Sequence, residues 1–165
     1  MTWWLLWIGC GATVDAPSCS APPPPEAPSS APRAPLLRTV DVCVIDAERR
    51  AEGGDALVVR EQKIQPGGRV DVAQQIVDRV FAGPGEEGLL SATQGATGGT
   101  VHLEGRVASV TLQGPCRGAG VPNVHEQLVK SLRGVEGIAY VRTVDPGAPL
   151  PPLERTSHRA ECLEP

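Results

Sequence analysis

The chain has 165 residues, a net charge of -4, and a single tyrosine and phenylalanine beside three tryptophans. Its acids and bases are interspersed, with no basic stripe to follow a phosphate backbone and no aromatic platform to stack bases, so nucleic acid is not an expected partner. A length of this order gives one domain once a proline-rich front section is set aside. Trp3, Trp4 and Trp7 all lie in that front section, so the core must be built from Val, Leu, Ile and Ala.

The N-terminus, MTWWLLWIGCGATV, holds an apolar run from Trp3 to Ile8, far short of the roughly 20 residues that span a bilayer. It resembles the hydrophobic region of a secretory signal peptide. Trp7-Ile8-Gly9-Cys10 is similar to a bacterial lipobox, with small Gly9 before the cleavage point and Cys10 as the lipidated residue. No Lys or Arg precedes the run, and Trp7 stands where a lipobox usually has Leu. Residues 1–10 are thus expected to be a signal segment ending at the lipidated cysteine.

Residues 11–37 form an Ala/Pro/Ser-rich linker with too little apolar surface to offset the entropy of ordering. At about 3.1 Å per residue in polyproline geometry, it would hold a domain on the order of 60–80 Å from its anchor. The domain is expected over residues 38–146, followed by a proline-rich tail over 147–165.

In RTVDVCVID, Val40, Val42 and Val44 alternate with Asp41 and Cys43, the period of a strand. A charged turn, AERRAEGGD, leads to a second extended run, ALVVREQKI, and the two are expected to pair as a long-looped hairpin. Asp41, Asp46 and the turn's acids lack the oxygen spacing and closing Glu of a calcium loop. DVAQQIVDRVFA has the spacing of an amphipathic helix, with Asp71 as its N-cap and Gly83-Pro84 as its stop.

The glycine-rich stretch that follows, AGPGEEGLLSA, is not a phosphate loop. Such a loop opens a helix, whereas this one closes a helix, where the dipole's negative end and Glu86-Glu87 repel anions. It is expected to turn Leu89 and Leu90 back toward the core. TVHLEGRVASVTLQG reads as a hairpin reversing at Glu104-Gly105, with His102 facing away from Val101 and Leu103. PNVHEQLVKSLRGVEG is a second helix capped by Asn123 and Glu126, with Val124, Leu128, Leu132 and Val135 on one face, and IAYVRTV is the last strand. The order ββαββαβ gives an α+β fold, with a small mixed sheet and two helices packed on one of its faces.

With these elements placed, residues 40–145 resemble the GerMN (Germane) domain of sporulation and spore germination proteins. The resemblance is carried by Ala82-Gly83-Pro84 with Glu87-Gly88-Leu89, by VASVTLQG, and by LVKSLRGVEGIAYVRTV. It implies a small module similar to the ring-building motifs of envelope assemblies, commonly carried on lipoproteins and without an established catalytic residue. Two places depart from the family pattern: TQGATGGT replaces its segment before the hairpin, and Thr111 and Gln113 replace its Asp and Ser.

Cys19, Cys43, Cys116 and Cys162 remain once Cys10 is given to lipid, and four cysteines allow three full pairings. GPC at Cys116 and ECLEP at Cys162 resemble a cysteine-bearing subset of the family, which implies a Cys116–Cys162 disulfide pinning the tail at about 2–4 kcal/mol. Cys43 reads as a buried thiol, with Cys19 as its alternative partner.

Cys116, His125, His158 and Cys162 lack the paired spacing of a zinc site, and no third group orients a Cys-His nucleophile. His125 is expected to be solvated. No catalytic residue, cofactor or metal is therefore expected. The chain reads as a lipid-anchored envelope protein facing the extracytoplasmic side, whose partner is another envelope protein or a cell-wall component, with oligomerisation open. The alternative is a cell-wall or glycan-processing enzyme or a small-ligand binding protein.

Overall fold

The computed structural model describes residues 36–118, 122–154 and 156–164. The expected signal segment, Cys10, Cys19 and nearly all of the 11–37 linker lie outside the described residues.

Elements run in the order β1 (Arg38–Asp46), α1 (Ala47–Ala51), β2 (Leu57–Ile64), α2 (Arg69–Ala82), β3 (Leu89–Leu90), β4 (Gly98–Glu104), β5 (Val107–Gln113), α3 (Val124–Leu132) and β6 (Tyr140–Val144), then a 3-10 turn at Glu161–Leu163. The fold is α+β, and the ββαββαβ order is kept with α1 and β3 added. The strands form two three-stranded sheets, β2-β1-β3 and β4-β5-β6, where one was expected. Only β5 and β6 run parallel; α3 makes their crossover.

The sheets stay separate because helices occupy the edges at which they would join. The Gln74 side chain on α2 binds the β4 backbone twice: Nε2 donates to Gly99 O at 2.8 Å and Oε1 accepts from Val101 N at 2.9 Å. On α3, Ser131 Oγ accepts from Cys43 N of β1 at 2.8 Å. An edge group left unpaired in a core is costly, so each amide or hydroxyl stands in for a missing strand. Gly99 permits the close approach, since a Cβ there would lie 2.7 Å from Val110 Cγ1 and 3.2 Å from Phe81 Cε2 of α2.

One apolar core unites the sheets. Val42, Val44 and Ile64 from the first and Val101, Ala108, Val110, Leu112 and Val141 from the second pack with Ile76, Val77 and Val80 of α2 and Leu128 and Leu132 of α3. Cys43 is buried, as expected of a core thiol, and burial pushes its pKa up.

Local details differ from the sequence expectations. AERRAEGGD begins with α1, because Asp46 Oδ1 accepts from Glu48 N and Arg49 N and caps a helical turn. Helix α2 starts two residues before Asp71; Gly68 is the N-cap, and Asp71 at N3 accepts from Gly68 N at 2.9 Å. The hairpin reverses at Gly105-Arg106, since Glu104 pairs with Val107 and Gly105 has φ +57°, the left-handed geometry of a type II′ turn. Of the two leucines after the α2 stop, Leu89 packs on the core but Leu90 is 46% exposed, because neighbours in a strand point to opposite faces. The Asn123–Glu126 capping box forms as read, with Glu126 Oε2 accepting from Asn123 N at 2.7 Å and Asn123 Oδ1 accepting from Glu126 N at 3.2 Å.

The Gln74→Ala substitution strips both partners from the β4 edge. Stability in urea is expected to fall by about 1–3 kcal/mol, read from the shift in the unfolding midpoint, whereas Gln→Ala at an ordinary helix surface would cost a few tenths.

Candidate functional site

Chemistry-bearing residues converge on β6 and the tail that follows it. Asp145-Pro146-Gly147 turns the chain back, Ala148 N donating to Asp145 O at 3.1 Å, and the tail crosses the face of the second sheet that points away from the helices. It then runs beside β6, where Thr143 N donates to His158 O at 2.9 Å and covers an otherwise open edge. Asp145 fixes its end: its two carboxylate oxygens accept from Glu161 N and Cys162 N at 3.0 and 2.8 Å. Leu163 enters the core.

This path brings Cys162 to Cys116, and the two form a disulfide with a Cα–Cα separation of 5.6 Å across 46 residues of sequence. Both sulfurs being committed, the set Cys116, His125, His158 and Cys162 can neither bind zinc nor act as a Cys-His nucleophile. Among the described residues no group of three or more His, Cys, Asp or Glu could hold a metal ion. His102 is exposed, as read, and Asp46 spends its carboxylate on the α1 cap. Cys10, the expected lipid site, lies outside the described residues.

His125 is the principal correction. It is buried, not solvated, because the tail at Arg159-Ala160 closes over the start of α3. Its Nδ1 meets Thr143 Oγ1 at 3.1 Å, and the same oxygen accepts from Ala160 N at 2.9 Å. A hydroxyl has one proton to give and two lone pairs, so the direction of the Nδ1–Oγ1 bond depends on the ring tautomer. Burial lowers the His125 pKa from 6.5 to about 4, with Arg159, His158 and Arg133 adding repulsion. Arg159 instead pairs with Glu126 at 3.3 Å.

Arg142 was not singled out from sequence. Alternation along β6 turns Val141 and Thr143 toward α3 and Arg142 to the opposite face, beside its register partner Ser109 on β5. Its Nη2 donates to Ser109 Oγ at 3.0 Å and its Nη1 to Pro152 O of the tail at 2.6 Å. The residue is only 4% exposed, and its Nε lacks an acceptor among the described residues. Beside it, between β6 and the tail, opens a cavity of about 270 Å³. No family model, curated protein or solved structure matches this chain. The available signal for Arg142 was a lone arginine in an apolar five-residue strand ahead of a proline-rich segment.

Two measurements follow from this geometry. Reducing the bridge, or replacing Cys116 and Cys162 by Ser, is expected to lower stability by about 2–4 kcal/mol, and alkylation without reductant should leave both sulfurs unlabelled. For His125, the unfolded chain binds the proton more readily between pH 6.5 and about 4. Its contribution is therefore complete above pH 6.5, falls as the pH drops to about 4, and is level below. The loss from this group is about 3 kcal/mol, and the ring resonance of His125 should titrate with a midpoint well below that of a free histidine.

Proposed function

We propose that this chain is an exported, lipid-anchored envelope protein whose GerMN-like domain is a non-catalytic binding or scaffold module of sporulation, germination or envelope assembly. The observation that carries the proposal is the Cys116–Cys162 bridge, which binds the tail to the end of β5. Structural disulfides persist in oxidising compartments, which is where a chain beginning with a signal segment and a lipobox-like WIGC is delivered. Among the described residues no helix is long and apolar enough to cross a membrane, so attachment in this reading falls to lipid on Cys10. The mechanism is positional: an anchor, an extended proline spacer, and a rigid domain that presents its surface to an envelope protein or cell-wall component.

The cavity beside Arg142 favours a second reading, a small-ligand binding protein of the envelope. Its lining joins small apolar residues to a buried cation, Arg142, and a few polar groups, the general make-up of a ligand pocket.

Replacing Cys10 by Ser tests the anchored reading. Fatty-acid labelling should disappear and the protein should move from the membrane to the soluble fraction; labelling and membrane association that survive the substitution would overturn it.

A further inference from the structure

Arg142 is buried without a counter-ion. Among the described residues no carboxylate lies within ion-pair distance of it, and its two hydrogen-bond acceptors, Pro152 O and Ser109 Oγ, are both neutral. A guanidinium taken out of water is strongly disfavoured unless a negative group meets it. Its Nε–H, shut off from solvent, meets no acceptor among the described residues. The strand thus holds a desolvated cation with unused donors at the wall of a cavity.

The rest of the cavity selects the anion. Val144, Pro149 and Pro151 supply apolar walls, while Glu154 and Glu161 are exposed lining residues. Asp145 also lines the cavity, but both its oxygens are taken by backbone amides, and His158 forms part of the wall. A polyanion such as phosphate would meet the acids of the rim. A zwitterion meets opposite charges at both ends: carboxylate inward on Arg142, ammonium outward on Glu154 and Glu161. At about 270 Å³ the space lies just under the usual range of about 300–1,000 Å³ for ligand pockets, which suits an amino acid or dipeptide.

We propose that the space between β6 and the proline-rich tail is a binding site for a zwitterionic amino acid or short peptide, with Arg142 receiving the ligand carboxylate and Glu154 and Glu161 its ammonium group. The ligand carboxylate would take over the Nη1 donor that Pro152 O accepts from. Exchange of a neutral acceptor for a charged one on a guanidinium strengthens the hydrogen bonds and supplies the missing counter-charge. This deepens the binding-module reading and is independent of the anchor.

The test uses the purified full chain in mild detergent, observing the Arg142 Nε–H resonance by nitrogen-15 NMR and assigning it by its loss in Arg142→Lys. Alanyl-alanine is expected to shift that signal saturably, with a Kd of about 1 mM or tighter. Alanyl-alanine amide, lacking the carboxylate, should bind at least about tenfold more weakly, and inorganic phosphate should not saturate. The exposed double substitution Glu154→Gln, Glu161→Gln leaves the core untouched; it should weaken alanyl-alanine several-fold and leave N-acetyl-alanyl-alanine unchanged. No saturable shift up to about 10 mM dipeptide, equal binding of the amide or of phosphate, or insensitivity to the double substitution would overturn the proposal. Labelling and membrane association that survive Cys10→Ser would bear on the anchored reading alone, because none of these outcomes depends on lipid.

Discussion

The structure depends on closing sheet edges with something other than strands. Each of its sheets is three strands wide, and a sheet that narrow has an open edge on two of its three strands. Gln74 closes β4, Ser131 closes part of β1, and the chain at His158–Ala160 closes β6. The three bonds of Gln74 and Ser131 tie α2 to β4 and α3 to β1, and the helices in turn let two sheets share one core. Gly99 belongs to this arrangement as much as any leucine does, because its missing Cβ is the space into which Val77 and Phe81 fit.

The last strand then divides two environments. Toward α3, Thr143 joins Ala160 N to a neutral His125, a buried polar chain with each partner supplied. On the other face, Arg142 is held by Ser109 and Pro152 and left short of an acceptor at Nε. A satisfied network fixes geometry, while an unsatisfied buried charge stores free energy that a ligand of opposite sign can release. Adjacent residues of one strand therefore serve different ends, Thr143 in fastening the tail and Arg142 in offering a place to bind beneath it.

What was legible in the sequence was what local chemistry decides. Asn123 and Glu126 announced the α3 cap, Gly83 the end of α2, the valines of RTVDVCVID an inward face, and each was found in place. Local signals erred where two short-range rules compete: Asp46 outweighs the turn-like composition after it, and Gly68 starts a helix that Asp71 only strengthens. Burial supplied by distant chain was invisible. His125 is covered by Arg159 and Ala160, and Arg142 by Pro152, so a helix pattern or strand alternation read alone leaves both in water. The division into two sheets was hidden for the same reason, since it rests on Gln74 and Ser131, polar residues that helical periodicity assigns to no particular task.

The tail also orders events in time. Leu163 fills the core, Ala160 N completes the Thr143 hydroxyl, and the sulfur that meets Cys116 is at 162, so the apolar interior remains open at one side until the chain has been delivered as far as these residues. A domain made from one end to the other therefore lacks part of its core until its last residues are delivered. Closure of the tail, with the covalent link that follows it, is the step at which an emerging chain becomes a finished domain.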